Sequence, residues 1–203
     1  INFYSSIAKM RAARILIDQL LALYPKISVS ITLHASTSSY YTSHIDKYTN
    51  LLRHTTMALS AVAGGIDGLL VLPFESPNSF SYRMARNIQH LLKEEAYMDK
   101  VNDMMAGSYF FEELSIIFMD KGWNSFRKIE DGGGLIVGMK NGMIKKSLNE
   151  QHLKRVASYK DQEKTMIGVN KYTDASTNDK EVPSSTESND PWVLPALTLS
   201  QYI

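Results

Sequence analysis

Two stretches decide the fold: Ile27-Ser28-Val29-Ser30-Ile31-Thr32-Leu33-His34 and Leu69-Leu70-Val71-Leu72. The first alternates aliphatic residues with Ser and Thr, the period of a strand with one covered face. The second is short and wholly apolar, as is a parallel strand covered on both faces. Helical spacing surrounds them. Ile7, Met10, Ala13, Ile17, Leu20, Leu21 and Tyr24 form a stripe over Ser5 to Tyr24, stopped by Pro25. Tyr48, Leu51, Leu52, Thr55, Leu59 and Val62 form the next, ended by Gly64-Gly65. Phe80, Met84, Ile88, Leu91 and Leu92 form a third. A weak third strand near Lys100 to Asn102 and a loop from Asp103 to Ser108 lead into a long helix from Tyr109 to Ile129. That helix should turn Leu114, Ile117, Phe118 and Phe126 inward and stop at Gly132-Gly133-Gly134. Strand, loop and helix in repetition predict an α/β fold with a parallel sheet and right-handed crossovers. A (β/α) barrel and a doubly wound sheet share this pattern.

Beyond Gly134 the character changes. Residues 140–171 hold eight Lys/Arg against three acids, which reads as a solvated helix face, with a nucleic-acid or CoA-phosphate patch as the functional alternative. Thr165 to Val169 is expected to add a short strand. Thr173 to Pro191 is too polar to bury a core and reads as a linker. Trp192 to Leu197 is apolar again, and is expected to dock on this chain or lead into a further domain.

The 203 residues are 44% apolar and 21% charged, as a globular chain is, and the formal net charge of +1 argues against a nucleic-acid partner. The absence of cysteine excludes disulfides, thiolate metal sites and a cysteine nucleophile. No apolar run approaches a membrane span, and Ile1-Asn2-Phe3-Tyr4 does not have the form of a targeting peptide.

In a parallel α/β architecture, chemistry sits where strands end. Three positions follow. His34 with Ser36 and Thr37 ends the first strand; the histidine reads as an acid/base, a ligand or a cofactor contact, or else as a hydrogen-bonded core histidine. Glu75-Ser76 follows the second strand, where Glu75 could hold a ribose or act as a base, or serve as a loop carboxylate or helix cap. Asp103 with Gly107-Ser108 precedes the long helix, as a phosphate loop or as plain capping. No HExxH, Gly-x-Ser-x-Gly elbow, P-loop or GxGxxG occurs, and His44 and His54 lack metal-ligand spacing. Local chemistry alone names no reaction, and neither a catalytic nor a metal-ligating residue is assigned.

A run of longer motifs is more specific. Ala8-Lys9-Met10-Arg11-Ala12-Ala13-Arg14 comes first, then Asp46-Lys47-Tyr48-Thr49-Asn50-Leu51-Leu52-Arg53 and Ala61-Val62-Ala63-Gly64-Gly65-Ile66-Asp67. Ser81 to Gln89 with Lys93-Glu94-Glu95 follows, then Val101-Asn102-Asp103 with Gly107-Ser108-Tyr109 and Glu112, then Ile167 to Tyr172. In this order they resemble the barrel region of the methylmalonyl-CoA mutase family, the adenosylcobalamin-dependent acyl-CoA mutases. The resemblance implies the C-terminal portion of a (β/α)8 TIM barrel, about strands six to eight with their helices, plus trailing helices and a linker. It implies three segments: residues 1–134 as the last part of the barrel, 135–172 as trailing helices and a short strand packed on it, and 173–203 as a linker and apolar tail leading to a cobalamin-type domain. The implied reaction interconverts methylmalonyl-CoA and succinyl-CoA by radical rearrangement, the cofactor supplying the radical chemistry.

The departures sharpen this. Catalytic chains of the family carry His-Cys-Gln-Thr-Ser where this chain has His34-Ala35-Ser36-Thr37-Ser38, so a cofactor-facing Gln becomes the shorter Ser36. Their Asn-x-x-Asp-Glu matches Leu72-Pro73-Phe74-Glu75-Ser76, so the ribose-contacting Glu falls on Ser76 and an amide becomes Leu72. The Pro and first Gly of the family's Asp-Pro-x-Gly-Gly are Met104 and Ala106. Such losses resemble the non-catalytic small subunit of bacterial heterodimeric mutases. The expected partner is then the catalytic large subunit, with acyl-CoA bound in the complex, adenosylcobalamin held by the partner and a cytoplasmic location. His34, Ser36, Glu75 and Ser76 would be degenerate cofactor positions. A catalytic mutase of altered substrate preference is the alternative. Since a closed barrel takes about 250 residues, this chain is expected to be part of one, with open sheet edges and marginal stability alone.

Overall fold

The structure is a computed structural model and describes residues 2–26, 29–173 and 197–203. Helix α1 spans Phe3–Ala22. Asn2 opens it by accepting from Ser5 N at 3.0 Å, satisfying an amide that has no partner inside the helix. Strand β1 is His34–Ser36, helix α2 is Lys47–Ala63 and strand β2 is Gly68–Leu70. Gly65, at φ +77°, supplies the left-handed residue that ends α2. Helix α3, Ser79–His90, starts with a capping box between Asn78 and Ser81 and runs into a wide π-turn over Leu91–Glu95. Helix α4 is Tyr109–Asp131; α5, Gly134–Lys140, and α6, Met143–Lys160, follow the left-handed glycines Gly133 and Gly142.

The chain forms two compact units: Ile1–Ser38 with His54–Phe126, and Ser39–Arg53 with Arg127–Ile203. In the first unit the sheet is parallel, pairing His34 with Gly68, Ala35 with Leu69 and Ser36 with Leu70. Its core takes Ile7, Ala8 and Ala12 from α1, Ala58, Ala61 and Ala63 from α2, Val71 and Phe74 after β2, and Ala85 and Ile88 from α3. Small side chains bring helices close together. A Cβ at Gly64 would lie 2.8 Å from Met10 Cβ, so the end of α2 needs a glycine against α1. The second unit has its own core of Val156, Tyr159, Met166 and Leu199, with Tyr40, Tyr41, Val169 and Tyr202 packed against it. Leu199 is fully buried in that core. The expected polar linker, apart from Thr173, and the apolar tail before Leu197 lie outside the described residues.

Five expectations need correction. Of the expected first strand, Ile27 and Ser28 lie outside the described residues, and the described part is paired only from His34. Its partner cannot begin before α2 has ended, and Leu33 N–H is taken instead by the Asp67 carboxylate at 2.7 Å. The second strand is not covered on both faces, because Leu70 is 59% exposed. Lys100 to Asn102 is not a strand. Lys100 N donates to Tyr97 O at 3.2 Å and Val101 stays exposed, so its backbone is used locally. Thr165 to Val169 is not a strand either, but a turn closed by the Ile167–Lys171 bridge. Asn170 organises that turn by accepting from Met166 N at 2.7 Å and donating to Tyr159 O at 3.0 Å, an alternative to ladder pairing. On α4, Leu114 and Phe118 are half-buried while Ile117 and Phe126 are exposed. The fold is thus a mostly helical α/β arrangement with a two-stranded parallel sheet. No helix of the described residues is long and apolar enough to cross a membrane.

Candidate functional site

The parallel register puts His34, Gly68, Ser36 and Leu70 on one sheet face, and Ala35 and Leu69 on the other. The first face is open: His34 and Ser36 are exposed, so His34 is not a core histidine. Its imidazole lies over Gly68, where an added Cβ would sit 2.2 Å from Nδ1. Glycine is therefore the residue that lets the ring lie flat across the neighbouring strand. Ser36 Oγ donates to the next carbonyl, Thr37 O, at 3.1 Å. Thr37 itself is buried and ties the two strand ends. Its N–H donates to Leu70 O at 3.0 Å, and its hydroxyl accepts from Leu72 N at 2.9 Å.

The second position belongs to the start of α3. Glu75 accepts from Asn78 Nδ2 at 3.1 Å, and Ser76 O accepts from the same nitrogen at 3.1 Å. Asn78 in turn caps Ser81 N at 2.8 Å. The loop carboxylate thus steadies the capping residue. At the third position Asp103 does not cap α4. It accepts from Met105 N at 3.0 Å and pairs with Arg11 at 2.8 Å. The Gly107 amide donates to Glu112 Oε1 at 3.2 Å, so the chain's own carboxylate occupies the donor a phosphate would need. Strand ends bring His34, Ser36 and Thr37 together. Glu75 and Ser76 are organised around a helix cap, and Asp103 and Gly107 around Arg11 and Glu112. Among the described residues no group of three His, Asp or Glu could hold a metal ion.

Sequence reasoning missed what the motif residues do. Arg11 pairs with both Asp103 and Glu112 at 2.8 Å while its own side chain is 10% exposed, joining two motifs that lie far apart in the chain. Arg14 donates to Gly65 O and to Asp67 at 2.7 Å, joining another two. The Leu33 amide first and Arg14 second hold the Asp67 carboxyl below its usual range. In the second unit Asn50 accepts from Ser43 N at 2.8 Å and donates to Ser43 O at 2.7 Å, and Arg53 donates to Asn50 and to Ile167 O. A Cβ at Gly168 would lie 2.5 Å from Asp46, whose carboxylate binds Thr49 at the start of α2. The motifs are the fold's joints. Opposite charges in two separated motifs were the available signal, but sequence spacing does not say which pairs meet.

A cavity of about 620 Å³ in the first unit is lined by Arg14, Asp67, Leu69, Lys93, Asp99 and neighbours. Gly65, Ile66 and Asp67 in its wall precede β2, and none of the candidate positions lines it.

A family profile described as methylmalonyl-CoA mutase matches residues 1–191. The methylmalonyl-CoA mutase small subunit of Porphyromonas gingivalis is 37% identical over 84% of this chain and 29% of its own length. A methylmalonyl-CoA mutase of Rhizobium meliloti is 35% identical over 84% of the chain and 25% of its own. The mitochondrial methylmalonyl-CoA mutase of Bos taurus is 36% identical over 84% and 24%. The chain therefore spans between about a quarter and 29% of the length of these relatives.

Proposed function

The chain belongs to the methylmalonyl-CoA mutase family, and from that premise we propose that it is part of a small, non-catalytic subunit of such an isomerase. Identity does not decide this, since small-subunit and full mutase relatives differ by only one or two points. The observation that carries the proposal is Ser36. It stands where the family's catalytic chains have a cofactor-facing Gln, and its short side chain reaches only the adjacent Thr37 carbonyl. Ser76, in the matching place of a ribose-contacting Glu, has its carbonyl committed to the α3 cap, and Glu75 beside it turns to Asn78.

Adenosylcobalamin, the family's cofactor, needs donors that reach from the strand ends. The side chains at these positions do not fit it, being short at Ser36 and Ser76 and apolar at Leu72. The reading places residues 1–134 in the last part of a (β/α)8 barrel, with 135–172 as trailing helices and 173–203 leading toward a cobalamin-type domain. The open sheet face and the unpaired edges of the described strands suit a partial barrel. The proposed partner is the catalytic large subunit, which binds adenosylcobalamin and the acyl-CoA, in a cytoplasmic heterodimer.

The test is restoration. The variant carrying Ser36→Gln and Ser76→Glu, followed by visible absorbance in a cobalamin titration, should gain affinity from near zero. Equal binding by the parent and the variant would overturn the reading in favour of a divergent catalyst.

A further inference from the structure

The basic stretch after Gly134 is not uniformly solvated. On α6, Lys145, Asn149, His152 and Arg155 recur at helical spacing on one side. That side faces a cavity of about 310 Å³, lined also by Tyr40, Leu148, Gln151 and Leu197. Lys146, Lys154 and Lys160 are exposed. A helix stripe turned toward its own unit is ordinarily apolar. Here it is basic, and the described residues of the cavity wall include no carboxylate.

The basic groups are held in place by aromatic rings. The Arg155 guanidinium stacks 5.3 Å above the Tyr40 ring and 6.0 Å from Tyr41. Tyr40 Oη and His152 Nδ1 share a hydrogen bond of 2.9 Å, and the His152 ring meets Tyr202 edge-on at 4.7 Å. Arg155 forms no ion pair among the described residues. The guanidinium also hydrogen-bonds the Tyr40 side chain, which fixes it in place. Its five N–H donors leave others for a ligand, and little rotamer entropy remains to be lost when it binds.

We infer that this cavity binds a phosphate group, free or as a small phosphate ester. Arg155 supplies the planar donor fork, Lys145 and Asn149 lie along the same wall, and Leu148 and Leu197 accommodate a short apolar substituent. The volume is at the small end of ligand sites, which suits a compact anion. The proposal does not depend on the mutase reading, since none of these residues lies at its cofactor positions.

Isothermal titration of the full chain with inorganic phosphate, phenyl phosphate and benzoate at low salt tests it. Both phosphates should bind saturably. Equal affinities assign the site to free phosphate, and tighter phenyl phosphate assigns it to an ester. Arg155→Met should weaken binding about tenfold or more, as loss of a charge-assisted donor does. Arg155→Lys, which keeps the charge and fills the space, should retain part of the affinity, and Lys164→Met, on the exposed surface, should change it little. No saturable phosphate binding, benzoate binding more tightly than phenyl phosphate, or equal loss in Arg155→Met and Lys164→Met would overturn the assignment. A melt followed by circular dichroism confirms that each variant compared is folded.

Discussion

At the scale of single residues, Arg11 shows what the motifs are for. One largely buried guanidinium serves Asp103 and Glu112, whose own side chains are about half exposed. Arg11→Met leaves two carboxylates without their cation and should cost roughly 2 kcal/mol, discounted for that exposure. Urea denaturation should report it as a lower midpoint at unchanged slope. His152 gives a pH signature. Burial foremost, and Arg155 beside it, push its pKa below the usual histidine value of 6.5. The unfolded chain then binds the proton at a pH where the folded chain does not. Stability should be level above the usual value and fall as pH drops from there to the lower folded value. His152→Gln should remove that part of the pH dependence, and an unchanged profile would contradict the role given to this histidine.

At the scale of elements, the sheet is set by one contact that no periodicity reveals. Gly68 has no side chain because His34 lies across it. Gly68→Ala should destabilise the protein by about 1–3 kcal/mol through overpacking. His34→Ala in the same chain should recover most of the loss, a coupling that a double-mutant cycle measures. Helices were legible because their signals are local. The Pro25 stop, the glycine ends and the inward spacing placed α1 to α4 within a few residues. Strands were less so. Alternation from Ile27 to His34 is a property of that segment alone, whereas a ladder begins only where a partner is present, and β2 starts at Gly68. Thr165 to Val169 misled for a related reason. Its apolar residues suit a strand, but Asn170 claims the backbone with its side chain. The candidate positions were found by strand ends and by family likeness. The ion pairs that support them were not, since Arg14 and Asp67 are neighbours only after folding.

At the scale of the whole molecule, β1 and β2 carry unpaired outer edges among the described strands, and large apolar side chains stand in solvent. Tyr109 is 92% exposed, and Leu23, Leu70 and Ile136 are each more than half exposed. Unpaired strand edges are templates for pairing with another chain. The isolated chain should therefore melt broadly and self-associate, and a sharp, concentration-independent transition of a monomer would contradict this. The central claim is that this family member has kept the joints of the fold and given up the cofactor contacts. It is tested most directly on a polypeptide of the relatives' full length that contains this chain, purified without a partner and supplied with adenosylcobalamin and methylmalonyl-CoA. The account predicts no succinyl-CoA until a catalytic subunit is added; turnover by that polypeptide alone would contradict it.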